Sequence, residues 1–233
     1  NEFGKNKYSP SDIMNLYLKR GEQIFANNPK KLNPNNHYPL HFVLNYFFGN
    51  TTLDQLDKRF LFFSYDLNAD EPFYFSDGME HLRSMTVSNM MTACSAFPGV
   101  FPPLKMGYKL LADGILATKN PAKTAYNYAK INYPDDPIVL ISLGVGKDET
   151  MKFDLFDAES NLTHQEMEAI SNEDKNLLYF RFQPEIYEAS SNINDASSKN
   201  TKALLNDANR YISDNQHKFD RLFSFMKIKM EYI

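Results

Sequence analysis

The chain has 233 residues, 42% of them hydrophobic and 23% charged, a balance that excludes wholesale disorder and fibrous repeats and suffices for one substantial domain. A net charge of −4 argues against a binder of phosphate backbones. The lone cysteine, Cys94, excludes an internal disulfide framework and a Cys-ligated metal site, and no apolar run approaches the roughly 20 residues of a membrane span.

Ser9 and Pro10 mark a helix start, with Ser9 as N-cap, Pro10 in the first helical position and Asp12 able to close a capping box. Ile13, Met14, Leu16, Tyr17, Ile24 and Phe25 recur at helical spacing, which predicts an amphipathic helix over 10–26. A loop rich in Asn, Pro and Lys covers 27–39, followed by short helices over 40–48 and 52–57 that Gly49-Asn50 separates. The apolar, aromatic run 59–65 has the length of a buried strand. Turn residues at 66–70 lead to a returning strand at 72–75, and a helix is expected over 84–94. Phe97-Pro98-Gly99 and Phe101-Pro102-Pro103 then break regular structure, and a strand over 108–112 runs into Asp113-Gly114.

Asn120-Pro121 is a second N-cap and Pro pair, opening a helix over 120–130. Residues 137–143 form the most β-like run and end in Gly144-Val145-Gly146. The polar stretch 147–174 reads as a surface excursion with a short helix, and 177–182 as another strand. Two helices close the chain, the first over 198–213; the second carries Phe219, Leu222, Phe223, Met226, Met230 and Ile233 on one face, a stripe expected to pack into a core. Strands alternating with helices predict an α/β domain with a largely parallel sheet. With no internal repeat and no dividing linker, one domain is expected over 1–233.

The histidines offer no general base at a strand end. His37 and His41 have the separation of a zinc-binding helical pair, but Pro39 lies between them and no acidic third ligand follows, so the pair reads as structural. His81, His164 and His217 are isolated in polar segments. Gly144 and Gly146 follow a strand as a phosphate-cradling loop would, yet without a third Gly or a Lys-Ser/Thr pair they read as a tight turn. Neither a metal nor a cofactor is expected.

Residues 92–121, TACSAFPGVFPPLKMGYKLLADGILATKNP, stack several devices. A strand ends at Ala112, Asp113 projects from its carboxyl edge, and Gly114 lets the chain turn sharply. Sites in open α/β sheets lie outside such carboxyl ends. Taken alone, strand-Asp-Gly is more often a turn than a catalytic carboxylate.

This segment resembles the patatin-like phospholipases, lipid acyl hydrolases with a Ser–Asp dyad. The family's succession of a small-residue helix end, P-x-x-F-P-P, strand, D-G-G/A and N-x-P stands here as Ser95 to Pro103, Asp113-Gly114 and Asn120-Pro121. Tyr8-Ser9-Pro10 with Leu16-Tyr17, the run 62–67, the strand ending in Ser142-Leu143-Gly144, the run 178–183 and Asp195 through Leu205 are similar to further family segments in the same order. The family's glycine-rich oxyanion loop and G-x-S-x-G nucleophile elbow do not occur in these 233 residues, and Ile115 stands where the family usually has Gly or Ala.

The resemblance implies a three-layer α/β fold with a mostly parallel central sheet flanked by helices, lacking its first strand and nucleophile elbow. It implies a phospholipase A-type hydrolase of glycerophospholipid acyl esters in which Asp113 is the proton acceptor, Gly114 forms the turn at the site, and the serine lies upstream of Asn1, leaving this chain alone inactive. Phe97, Phe101 and Met106, in an unusually apolar stretch with Leu104 and Tyr108, are expected either to line an acyl groove or to pack under a loop. The expected partners are a phospholipid or other glycerolipid, a transient membrane surface, and a protein activator or the upstream segment; nucleic acid is excluded. A patatin-like pseudoenzyme or regulatory module is the alternative. A cytoplasmic enzyme and an effector delivered into a host cytosol fit the sequence equally.

Overall fold

The computed structural model describes residues 8–25, 38–147 and 155–226. They gather into two compact units, one running up to Lys119 and including Ile193–Ser198, the other formed by Asn120–Asn192 and the described residues from Lys199 onward.

In the first unit, helix α1 (Pro10–Phe25) starts where the capping residues place it. The Ser9 amide donates to Asp12 Oδ2 at 2.8 Å while the Asp12 amide donates to Ser9 Oγ at 3.1 Å, so two orphan donors are satisfied reciprocally. Ile24 packs with Leu40, Val43 and Leu44 of α2 (Tyr38–Phe48). The second expected short helix is reduced to a single 3-10 turn, Leu53–Gln55. Strands β1 (Leu61–Asp66) and β2 (Glu71–Ser76), helix α3 (Val87–Cys94), and strands β3 (Leu104–Met106) and β4 (Lys109–Asp113) complete the unit. Phe75, Met90 and Leu111 are fully buried between α3 and the sheet and form its core with Leu53, Val87 and Ala93.

The strands order β2-β1-β4-β3, and every pairing is antiparallel. This corrects the mostly parallel sheet expected above. The connections explain it: β1 and β2 are joined by a short turn that ends at Asp70 (φ 55°), and β3 and β4 by Gly107 (φ 60°) and Tyr108. Such short links close hairpins, whereas a parallel neighbour requires a crossover of a dozen residues or more.

Asp66 pins β1 to β4. It is 1% exposed, accepts from Lys109 Nζ at 2.8 Å and from the Leu110 and Asn68 amides, and the Lys109 bond holds its carboxyl below the usual carboxylate range. A depressed carboxylate stabilises the fold above its unfolded pKa and loses that contribution as pH falls through the folded value. Lys109→Met should therefore lower the urea midpoint at neutral pH, and the deficit should shrink on acidification as the stranded carboxylate protonates.

The second unit contains α4 (Ala122–Asn132), β5 (Ile138–Leu143), α5 (Leu155–Glu173), β6 (Leu177–Phe182), α6 (Ser198–Asp214) and α7 (Gln216–Met226). Here β5 and β6 do pair in parallel, with α5 within the crossover. Helix α5 replaces the short helix expected over 147–174. Its Met167 and Ile170 pack with Ala122, Tyr126 and Leu177, and its acidic and amide residues left too little apolar periodicity to announce 19 helical residues. On the other sheet face, Leu222 of α7 packs on Phe180 and Phe182, as the terminal stripe predicted; residues 227–233 of that stripe lie outside the described residues.

Helix α7 covers the β6 half of that face, while Val139, Ile141 and Leu143 of β5 remain 41%, 38% and 74% exposed. No other strand pairs with β5 among the described residues. An apolar edge strand of this kind promotes self-association. Ile141→Lys combined with Leu143→Lys should lower the apparent mass of the chain in static light scattering. No described helix is long and apolar enough to cross a membrane.

Candidate active site

Asp113 is the last residue of β4, opposite Ser64 of β1 in the antiparallel register. Its amide donates to the Ala96 carbonyl at 3.0 Å, which ties the strand end to the chain leaving α3. Beyond it the backbone tightens into a 3-10 turn, Gly114–Leu116, in which the Ile115 amide donates to Asp113 Oδ1 at 2.8 Å. The donor is a backbone amide, so the bond does not depend on the side chain at position 115. The second carboxylate oxygen accepts no hydrogen bond from the described residues.

Gly114 is required by space rather than by a positive φ. A Cβ there would lie 2.4 Å from the Phe63 carbonyl oxygen and 2.6 Å from Phe63 Cβ, closer than real Cβ contacts come. The glycine lets the turn close against β1, and the turn aims the Ile115 amide at the carboxylate.

Asp113 is half-buried, and desolvation pushes its pKa above the ordinary carboxylate value against the lowering influence of the Ile115 bond and of Lys119. The Cys94 thiol at the end of α3 is pushed up to about 12, first by burial and then by the negative charge of Asp113, so it stays protonated at neutral pH. Ser64, although opposite Asp113, is fully buried with its hydroxyl donated to the Ala112 carbonyl at 2.6 Å. That hydroxyl belongs to the sheet. The arrangement therefore offers a partly desolvated carboxylate, and no serine hydroxyl among the described residues hydrogen-bonds to it.

The other predicted site residues divide. Phe97 follows Ala96, whose carbonyl binds the Asp113 amide, and is half-buried. Phe101 packs on Phe25 of α1 with ring centroids 5.5 Å apart. Met106 packs against the core cluster and pairs with Lys109 at the opposite end of β4, about 13 Å from Asp113 at ~3.3 Å per strand residue. The structure thus ties the backbone just before Phe97 to the Asp113 amide and leaves Met106 at the far end of β4. Of their neighbours in sequence, Leu104 joins the core and Tyr108 is 83% exposed at the hairpin tip.

Cys94, Ala96 and Ser64 were not singled out around Asp113 by sequence reasoning. No local motif announces them; the antiparallel register and the path of the chain after α3 bring them there. His41 Nδ1 lies 3.1 Å from Thr92 Oγ1, and because that hydroxyl donates to the Ser88 carbonyl at 2.7 Å, the ring nitrogen is the donor. His41 thereby bonds α2 to α3, and His37 lies outside the described residues. In the second unit, the buried Asn120 side chain accepts from the Ala122 amide at 3.2 Å, while the helix begins at Ala122 with Pro121 in the N-cap position, one residue later than the Asn120-Pro121 pair predicts.

The model of the patatin-like phospholipase family matches residues 5–126, just over half of the chain and inclusive of Asp113. The chain belongs to this family. It is 30% identical to calcium-independent phospholipase A2-gamma of Oryctolagus cuniculus over 151 residues, 56% of this chain and 18% of that protein. It is 29% identical to the Rattus norvegicus protein of the same name over 185 residues, 72% of this chain and 23% of that protein. The chain spans about a fifth of the length of these curated relatives.

Proposed function

We propose that this chain is the aspartate-bearing part of a lipid acyl hydrolase that cleaves fatty-acyl esters of glycerophospholipids through a Ser–Asp dyad. The observation that carries the reading is the Asp113 carboxylate. It ends a core strand, one oxygen is fixed by a backbone amide, the other accepts no bond from described residues, and partial burial raises its basicity. Membership of the family and the likeness to two proteins named phospholipase A2 support lipid esters as the substrate class.

A serine hydroxyl is a weak nucleophile until a base takes its proton. In the proposed reaction Asp113 accepts that proton as the serine oxygen adds to the ester carbonyl. It returns the proton to the departing lysolipid alkoxide, leaving an acyl-enzyme. Water then adds in the same way, with Asp113 again the base, and releases the fatty acid. The serine and the backbone donors for the oxyanion come from a segment preceding Asn1; each such donor is worth about 2.7–4 kcal/mol. A carboxylate of ordinary pKa near 3.9 is a poor base for an alcohol, so desolvation of Asp113 raises its effectiveness. Phe97 is the apolar side chain proposed to meet the acyl chain beside Asp113, with the membrane surface as the source of substrate.

The test is covalent labelling of the intact gene product with a fluorophosphonate, followed by peptide mapping. Labelling at one serine outside these 233 residues is expected. No labelling in the presence of anionic vesicles would instead favour a lipid- or protein-binding module without catalysis.

A further inference from the structure

The i,i+4 partner of Ile115 is Lys119, and its ammonium donates to the Ile115 carbonyl. The same residue, Ile115, donates its amide to Asp113 Oδ1 at 2.8 Å. One peptide segment is therefore gripped at its carbonyl by a cation and at its amide by the carboxylate. The turn between them is closed further by the Ala117 and Thr118 amides, which donate to the Gly114 carbonyl at 2.9 and 3.0 Å. We propose that Lys119 is a positioning residue for Asp113: its ammonium, bonded to the Ile115 carbonyl, locks the 114–118 turn that presents the Ile115 amide to the carboxylate.

The inference deepens the catalytic reading above, because it assigns the control of the same proton acceptor. Burial alone makes the Asp113 carboxylate a stronger base but also leaves it protonated, and idle, over more of the acidic range. A nearby cation opposes the second effect, and the Ala117 and Thr118 amides, bonded to the Gly114 carbonyl that shares a peptide unit with the Ile115 amide, strengthen that amide's bond to Oδ1. Among the described residues Lys119 is the titratable group that acts on Asp113, Asp113 in turn acts on the Cys94 thiol of α3, and β1 contributes the uncharged Ser64 and Phe63. Cys94 stays neutral, so Lys119 is the cation that sets the balance.

The experiment is a carboxyl carbon NMR titration of aspartate-labelled protein, with the Asp113 signal assigned by its loss in Asp113→Asn. Lys119→Met should move the Asp113 midpoint to higher pH, and Lys119→Arg should return it toward the wild-type value. An unchanged midpoint in Lys119→Met, with only a lower melting temperature, would reduce Lys119 to a turn brace and overturn the proposal. If Lys119→Met does not fold, the wild-type titration at rising salt supplies the answer: screening of the ammonium moves the midpoint upward. A midpoint indifferent to salt rejects the proposal. The readout needs no turnover. A correct shift in a protein that hydrolyses no ester would leave this inference standing and remove the catalytic reading, whereas hydrolysis without a shift would do the reverse.

Discussion

Asp113→Asn should lower phospholipid hydrolysis by the intact protein about 10²–10⁴-fold, the range associated with loss of a general base. The substitution keeps the shape of the side chain and an oxygen able to accept the Ile115 amide, so the turn survives while proton acceptance does not. Stability should move the other way. Because burial raises the folded pKa of Asp113, the protonated form is favoured in the fold, and stability from this group is full at low pH and lost as pH rises through the folded value. Asparagine removes the charge that causes the loss. The variant should melt above wild type at neutral pH and level with it in acid, measured by calorimetry at both. For the same reason, wild-type kcat/KM should fall on the acid side at a pH above the ordinary carboxylate range. Hydrolysis by Asp113→Asn at a wild-type rate would take the carboxylate out of the mechanism.

Gly114→Ala should destabilise the first unit by about 1–3 kcal/mol, as overpacked positions do, and should also impair hydrolysis in whatever fraction remains folded. The added methyl group meets the Phe63 carbonyl at 2.4 Å, a backbone atom in β1 that cannot swing aside as a side-chain end would. Relief requires the turn to lift from β1. Lifting it withdraws the Ile115 amide from Asp113, so the two losses share one cause. Urea denaturation and ester turnover on the same sample check the pair. A variant with wild-type stability and wild-type kcat would show that the close approach to β1 has no bearing on the carboxylate.

Much of the site was legible because its signals are local. Ser9, Pro10 and Asp12 cap α1 by contacts within one helical turn. Asp113 at a strand end followed by Gly114 can be read from pattern alone, although the reason for the glycine is long-range: it is the Phe63 backbone, 51 positions earlier in the chain. The antiparallel sheet was misjudged because alternating strands and helices suggest crossovers. The turns that decide the pairing, ending at Asp70 and at Gly107-Tyr108, are short enough to be mistaken for loop ends. Helix α5 was underestimated for a different reason. Among its described side chains α5 buries little more than Met167 and Ile170 on one face, which leaves a weak apolar period. Phe101 and Met106 share an apolar run with Phe97, yet the break at Pro102-Pro103 and the β3 hairpin send them to Phe25 and to the core. Apolar composition cannot distinguish a groove from a core when a hairpin follows.

The central claim, that Asp113 takes the proton from an attacking serine, is tested most directly by the first turnover of an activated fatty-acyl ester. In rapid-mixing experiments the intact wild-type protein should release one equivalent of leaving group in a burst as the acyl-enzyme forms. Asp113→Asn, verified as folded, should show no burst. A burst of equal rate and amplitude in both proteins would contradict the account.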